Sequence, residues 1–363
     1  MRTLKNLLVT GGCGFIGANF IRYLFEQDDF TGRIINADAL TYAGNPDNLV
    51  EIRECFETPR GDRYVFCRCD IRDASAVADL FERYDIDTVV HFAAESHVDR
   101  SIVGPRAFIE TNVIGTFNLL EAARAHWISG ERTRAGVLFH HVSTDEVFGS
   151  LENGGVFTEQ TAYSPRSPYS ASKASSDHIV RAYGHTFALP FTISNCSNNY
   201  GAYQFPEKLI PLMVLNAFDG RHLPVYGDGG NIRDWLYVED HVSAIWRILN
   251  AGKPGETYLI GGENEWRNID LVEAICDAVA AVNGHSPSHY RSLIRFVTDR
   301  PGHDRRYAVC CDKIKRELGW RQEHHFASGL GKTVAWYHEH RIWVERVRSG
   351  AYQQWIKANY VNR

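Results

Sequence analysis

The chain has 363 residues, 44% hydrophobic and 12% aromatic, enough to bury one large core or two moderate ones. Its formal net charge of -5 gives no overall attraction for nucleic acid or anionic membrane, so an anionic ligand must be met by local arginines and a small molecule is the expected partner. No apolar run reaches membrane-spanning length, the first strand begins too early to leave room for a signal peptide, and the eight cysteines follow no CxxC or Cys/His spacing. A cytoplasmic protein with reduced thiols and no metal site is expected. The neighbours His140 and His141 are placed at a strand end, facing opposite sides, where they cannot share an ion.

In chain order, Asn6 to Thr10 reads as a strand and Gly11-Gly12-Cys13-Gly14-Phe15-Ile16-Gly17 as a turn opening a helix to about Phe25. Glycines at 11, 14 and 17 let the turn close, let backbone approach a pyrophosphate at the positive helix end, and let the helix pack on the strand. A second apolar run, Arg33 to Ala37, ends in Asp38, about twenty residues beyond the last glycine. A carboxylate there suits an adenosine 2'-hydroxyl and repels a 2'-phosphate, so NAD is expected over NADP; an ordinary turn aspartate is the other reading.

Pro46 to Pro59 reads as a helix and loop, Tyr64 to Cys69 as a strand ending in Asp70-Ile71, Ala74 to Tyr84 as a helix, and Thr88 to Phe92 as a strand leading to Ala93 and Ala94. Ala107 to Trp127 is one long predicted helix. Such alternation predicts an α/β fold with a doubly wound parallel sheet of Rossmann type, whose ligands lie at the carboxyl ends of the strands.

Strand Gly136 to Val142 is expected to deliver Ser143, Thr144, Asp145 and Glu146 at its carboxyl end. Two adjacent buried acids repel if both ionise, so one is held protonated and the other charged, which separates an acid role from a base role; a solvated acidic turn is the alternative. After a loop containing Pro165 and Pro168, Tyr169-Ser-Ala-Ser-Lys173 places tyrosine and lysine on one helix face. An ammonium beside a phenol favours the phenolate, so this pair reads as an acid/base device, or as a common spacing on a solvated helix.

Beyond strand Phe191 to Asn195 lies a polar loop, Cys196 to Gly201, whose Asn198 and Asn199 suit either ligand contacts or turn chemistry. Arg233 and the run Arg300-Pro-Gly-His303-Asp-Arg305-Arg306 offer guanidinium forks for a diphosphate or for surface ion pairs. Residues 1–194 are read as the NAD-binding domain, with sheet contributions from later segments. Residues 195–363 are read mainly as a smaller α/β substrate-binding lobe, closed by a helix from about Ala327 to Arg348.

With Gly11-x-x-Gly14-x-x-Gly17, Asp38, Ser143-Thr144 and Tyr169-x-x-x-Lys173 in place, the chain resembles the extended short-chain dehydrogenase/reductase superfamily. Within it, the chain is similar to the dTDP-glucose 4,6-dehydratase family. That likeness rests on LTYAGN at 40–45, AAESHVDRS at 93–101, STDEVFG at 143–149, YSASKASSDH at 169–178, NCSNNYG at 195–201, FPEKLIP at 205–211, RDWLYVEDH at 233–241 and RPGHDRRYA at 300–308, with SGAY near the end. It covers nearly the whole chain, and STDE is its specific part, because sugar epimerases of the superfamily share the tyrosine and lysine but lack the adjacent acids.

The resemblance implies that Tyr169 takes the C4 hydroxyl proton of a glucosyl group while NAD is reduced, that Lys173 sustains the phenolate and holds the nicotinamide ribose, and that Thr144 donates a hydrogen bond at C4. Glu146 would then remove the C5 proton, Asp145 would protonate the departing C6 hydroxyl, and reduction at C6 would give a 4-keto-6-deoxy sugar nucleotide. It also implies NAD contacts from Phe15, Ile16, Asp38, Leu40, Thr41, Asp70, Ile71, Ala93, Ala94, Thr111 and Asn199. Substrate contacts are implied for Ser96, Thr144, Asn198, Lys208, Leu209, Tyr226, Arg233, Asn268, Arg300 and His303. Phe148 stands where the family usually has tyrosine, and Ala202 and Gln204 where it has proline and histidine, which bears on the rigidity of that loop.

Three alternatives stay open at this point: a UDP- or CDP-glucose dehydratase, a 4-epimerase, and a non-catalytic NAD-binding regulatory protein. Asp145-Glu146 argues against simple epimerisation, since inverting C4 needs neither a C5 base nor a C6 acid. A homodimer is expected from helices 107–127 and 169–187, which are similar to the superfamily's dimer helices; ordinary sheet packing accounts for their apolar faces equally well.

Overall fold

The computed structural model describes residues 2–57, 63–152 and 154–348. Pro59, at the end of one expected loop, and the SGAY of 349–352 lie outside them. Apolar runs too short to be helices alternate with amphipathic segments through the first half. They form β1 (Asn6–Thr10), α1 (Phe15–Glu26), β2 (Arg33–Asp38), α2 (Val50–Phe56), β3 (Tyr64–Arg68), α3 (Ala74–Tyr84) and β4 (Thr88–His91). Local signals set the ends. At α3, the Asp73 carboxylate accepts from the amides of Ser75 and Ala76, and Asp85 closes the helix in a left-handed conformation.

Next come α4 (Val98–Val103), α5 (Pro105–Phe108), α6 (Thr116–Trp127), a small hairpin of β5 (Ile128–Ser129) and β6 (Arg132–Thr133), then β7 (Leu138–Thr144), α7 (Pro168–Phe187) and β8 (Phe191–Cys196). The second half contains β9 (Asn198–Tyr200), α8 (Leu209–Phe218), β10 (Leu223–Tyr226), β11 (Ile232–Tyr237), α9 (Val238–Ala251), β12 (Thr257–Ile260), β13 (Glu265–Arg267), α10 (Asn268–Asn283), α11 (Pro287–Arg291), β14 (Ile294–Val297), α12 (Asp312–Leu318), α13 (Phe326–Glu339) and α14 (Arg341–Val347).

Seven strands pair in parallel in the order β12-β8-β7-β4-β1-β2-β3, so strand order reverses between β1 and β4. One face packs on α1 and α9 through Phe20, Leu24, Val242 and Ile245, the other on α3, α6 and α7 through Val77, Phe81, Leu120 and Val180. Each such side chain contributes about 1.5–3 kcal/mol on burial. A third core, with Ile210, Val214, Leu271, Ile275 and Val334, joins α8, α10 and α13. It supports two small sheets, β9-β11-β13 and β10-β14, above the carboxyl edge of the large one.

Several elements differ from their expected form. β7 runs two residues further than the apolar pattern suggests, because Ser143 and Thr144 still pair with Asn195 and Cys196 of β8. That leaves His140 and His141 in the strand interior rather than at its end. The ring of His140 bonds Thr192 and Ser194 across the sheet, while His141 faces Asp177 at 3.2 Å.

The single helix expected over 107–127 is broken: Ile109–Gly115 is wound as a π-helix between α5 and α6. The Asn112 carbonyl there accepts from the hydroxyls of Thr116 (2.5 Å) and Ser176 (2.6 Å), which compete with the backbone ladder and widen the turn. The expected polar loop after β8 contains the short strand β9, paired with β11. The terminal helix is likewise two helices, interrupted at His340, whose ring stacks on Trp336 at 4.4 Å.

Candidate active site

The carboxyl ends of β1, β2, β4, β7 and β8 open onto one cavity of about 350 Å³. Gly11, Gly14, Phe15, Ile16, Gly17, Asp38, Thr41, Asp70, Ile71, Ala93, Ala94, Thr111, Tyr169, Lys173 and Asn199 all line it. The glycine turn is as tight as its sequence requires. A Cβ on Gly17 would sit 2.4 Å from the Gly11 carbonyl oxygen, whereas one on Gly14 would meet only that oxygen, at 3.2 Å, and otherwise fill the cavity. An open backbone cradle at the start of α1 fits a pyrophosphate.

The Asp38 carboxylate accepts from the amides of Cys13 (2.9 Å) and Leu40 (2.8 Å), tying the glycine turn to the loop after β2. With no basic side chain among its bonding partners, it fits a ribose hydroxyl donor and not a phosphate. Leu40 itself packs against the α1 core rather than lining the cavity. Asp70 is held by a two-pronged contact with Arg72, at 3.0 and 2.6 Å.

The catalytic candidates meet at the end of β7. Thr144 caps the turn Asp145–Phe148, its hydroxyl accepting from the Glu146 amide at 3.3 Å. Asp145 is 1% exposed, and burial, then Glu146, then Asp234 push its carboxyl well above the ordinary range. That shift favours the protonated carboxyl. Burial raises Glu146 too, but the positive charges of Arg300, Arg233 and Lys208 oppose that rise. Two neighbouring acids thus have different surroundings, as their adjacency suggests.

α7 is started by a capping box between Ser167 and Ser170, with Pro168 as its first residue, and it carries Tyr169 and Lys173 into the cavity. The phenol differs from expectation. Lys173 donates to the Val142 carbonyl at 2.8 Å, and burial, followed by the charge of Glu146, pushes Tyr169 well above 10; a hydrogen bond with Thr144 acts the other way. Desolvation dominates, and Lys173 is not among the groups that shift the phenol. Lys173 is itself lowered to about 8 by burial, against the opposing charge of Asp177.

On the other side of the cavity, Lys208 donates to the Ser96 carbonyl at 2.9 Å, and both residues line the space beside Asn198, whose Oδ1 is buried without a partner among the described residues. Asp99 gathers Tyr226 (3.0 Å) and Arg300 (3.5 Å), while His303 lies edge-on to Tyr226 and bonds Asp299 at 2.6 Å. Arg233 is buried over the Tyr307 ring at 4.2 Å and donates to the Asp304 carbonyl at 2.9 Å. Tyr226, Arg233, Arg300 and His303 are not among the lining residues, and Leu209 and Asn268, the first residues of α8 and α10, stand outside the lining as well.

Sequence reasoning passes over several residues that hold these parts in place. Asn112 clamps the loop after β4, accepting from the Glu95 amide (2.8 Å) and donating to its carbonyl (3.0 Å) and to Ser172 (2.8 Å). Asp177 accepts from Ser143, Tyr163 and Asn195 and faces His141. Its position one helical turn beyond Lys173 is a signal that spacing alone could have supplied. Asp99 and Glu207 stand inside quoted motifs with nothing local to mark them.

The family profile described as GDP-mannose 4,6 dehydratase matches residues 8–333. A dTDP-glucose 4,6-dehydratase of Escherichia coli is 54% identical over 98% of this chain and 99% of its own length. Among solved structures, the dTDP-glucose 4,6-dehydratase of Streptomyces venezuelae with NAD and TYD bound superposes with a TM-score of 0.84 at 46% identity, covering 94% of this chain and 99% of that one. The UDP-glucose 4-epimerase of Thermus thermophilus in complex with NAD gives 0.79 at 26% identity, covering 92% and 99%.

Proposed function

The chain belongs to the dTDP-glucose 4,6-dehydratase family, and from that premise we propose how its own residues divide the work of the reaction. It is an NAD-dependent hydro-lyase that converts dTDP-glucose to dTDP-4-keto-6-deoxyglucose by transient oxidation at C4, loss of water across C5 and C6, and reduction at C6. The observation that carries the assignment of roles is the Asp145-Glu146 pair beside Tyr169, each acid in a different electrostatic setting.

NAD, when bound, supplies the reversible hydride acceptor. Gly11, Gly14 and Gly17 with Phe15 and Ile16 hold its pyrophosphate, Asp38 its adenosine ribose, and Lys173 its other ribose. Tyr169, its phenolate favoured by the positive charge that NAD would bring and by Lys173, takes the C4 hydroxyl proton, and Thr144 donates to the forming C4 carbonyl. That ketone acidifies C5, whose proton passes to Glu146. Asp145 gives its proton to the C6 hydroxyl, which leaves as water; reduction at C6 and return of a proton to C5 complete the product. Lys208, Arg233 and Arg300 supply positive charge for the diphosphate, with Ser96, Asn198, Leu209, Tyr226, Asn268 and His303 around sugar and base.

The test is turnover in deuterated water with dTDP-, UDP- and CDP-glucose. A 4-keto-6-deoxy product carrying deuterium at C5 is expected from dTDP-glucose; no ketosugar from any donor defeats the reading.

The finer assembly is a homodimer. Ile109, Ile114 and Phe117 on the π-helix and α6, with Phe187 at the end of α7, are between 39% and 46% exposed, a helical apolar face that a second copy would cover. Light scattering that gives the 41.1 kDa monomer mass at all concentrations would contradict this. The cytoplasm is the proposed compartment. Among the described residues no helix is long and apolar enough to cross a membrane, and the eight cysteines are free thiols, which suits a reducing environment. Cell fractionation tests it.

A further inference from the structure

Three loops that line different parts of the cavity are fastened together at one point. Tyr42 belongs to the loop after β2, whose Thr41 and Gly44 line the cavity near Asp38. Arg100 lies on α4, just beyond Ser96. Glu207 precedes Lys208 in the segment leading to α8. The Tyr42 hydroxyl donates to one Glu207 oxygen at 2.9 Å, and Arg100 Nε donates to the other at 3.1 Å. The Arg100 guanidinium lies over the Tyr42 ring at 3.8 Å, while Phe205 meets that ring edge-on at 5.5 Å. Glu207 is 3% exposed, so its two bonds are made away from water, where charge-assisted contacts are strongest.

The connectivity matters more than any single bond. On one side of Glu207 the chain reaches Tyr42 and, through the same loop, the Asp38 site of the adenosine ribose. On the other it continues directly into Lys208, which is bonded to Ser96 and whose charge is felt by Glu146. The loop after β2 cannot swing away without giving up the Glu207 contact, and displacing Glu207 moves Lys208.

We propose that Tyr42, Arg100 and Glu207 form a strap that closes the adenosine end of the cofactor site against the nucleotide-sugar site, so that each ligand slows release of the other. This rests on the NAD and sugar-nucleotide reading above. By linkage, a nucleotide that steadies Lys208 steadies Glu207 and hence the loop over the cofactor. Because the same NAD is used again in each turnover, a strap that keeps it in place does not impede catalysis.

The test measures how fast bound NAD escapes. Protein loaded with NAD is freed of excess by gel filtration, incubated with an NAD-hydrolysing enzyme that destroys whatever is released, and assayed for NAD still bound, with and without thymidine diphosphate. Tyr42→Phe keeps the ring beneath Arg100 and removes one bond; Glu207→Gln removes the charge. Each variant is expected to release NAD about tenfold faster, the size of one charge-assisted hydrogen bond. Thymidine diphosphate is expected to slow release from the unaltered protein and to lose most of that effect in both variants. Equal release rates in all three proteins, with circular dichroism and thermal midpoints unchanged, overturn the strap. If the unaltered protein retains no NAD, the cofactor reading fails first and takes the strap with it, a distinguishable result.

Discussion

Glu146 and Asp145 are chemically similar neighbours whose roles are separated by what surrounds them. Three cations bear on Glu146, whereas on Asp145 one cation, Arg233, and a weak Thr144 contact stand against burial and the charges of Glu146 and Asp234. Glu146→Gln should therefore keep C4 oxidation, visible as slow accumulation of NADH absorbance, and lose water elimination by about 100-fold or more. Normal turnover would show that another group is the C5 base. Lys173 gives a second prediction. Its charged form is present below about 8 and lost above it, so kcat should fall along an alkaline limb near that pH, measured as a pH profile of steady-state turnover. A limb that begins only near 10 would mean that Lys173 is not the group responsible. The identities of these residues were legible in STDE and YSASK; the height of the Tyr169 pKa was not, because desolvation depends on how deeply α7 buries the phenol.

At the scale of elements, the π-helix and the loop after β4 work as one part. Asn112 makes both polar contacts to the Glu95 backbone, and that loop presents Ala94 and Ser96 to the cavity. Asn112→Ala leaves a buried amide and carbonyl without partners, which should cost about 2–4 kcal/mol of stability in a urea titration and lower turnover as Ser96 drifts. A variant with unchanged midpoint and turnover would mean that the loop holds itself. The strands β1 and β2 and the helix α3 were readable to within a residue, since apolar periodicity and the Asp73 cap are local signals. The break in helix 107–127 was not, because the hydroxyls that widen it include Ser176, brought in by α7 from far along the chain.

For the molecule as a whole, buried neutral histidines tie stability to pH. Burial lowers His140 and His241 to about 3 and His91 well below 6.5, with threonine, serine or asparagine partners in place of acids. In the unfolded chain these rings take up protons below about 6.5, and in the native chain they do not. The unfolded state therefore binds more protons, and stability falls as pH drops from 6.5 towards 4, by about 1.4 kcal/mol per pH unit for each such histidine. Urea midpoints between pH 7 and pH 5 measure the slope, and His140→Gln should flatten it by about one histidine's share. An unaltered slope would locate the acid sensitivity elsewhere. Nothing local ranks the sixteen histidines of the chain, since being core is a property of the sheet that surrounds them.

The large sheet has one more consequence, and it concerns synthesis. Its outermost strand, β12, is made of residues 257–260 and covers β8, every residue of which is buried in the finished protein. On the ribosome β8 emerges well before β12 exists. At roughly 5–20 residues per second, its hydrogen-bonding edge stays bare for about 3–12 seconds, a template for pairing with another nascent chain. A fragment that stops before Thr257 keeps that edge open permanently.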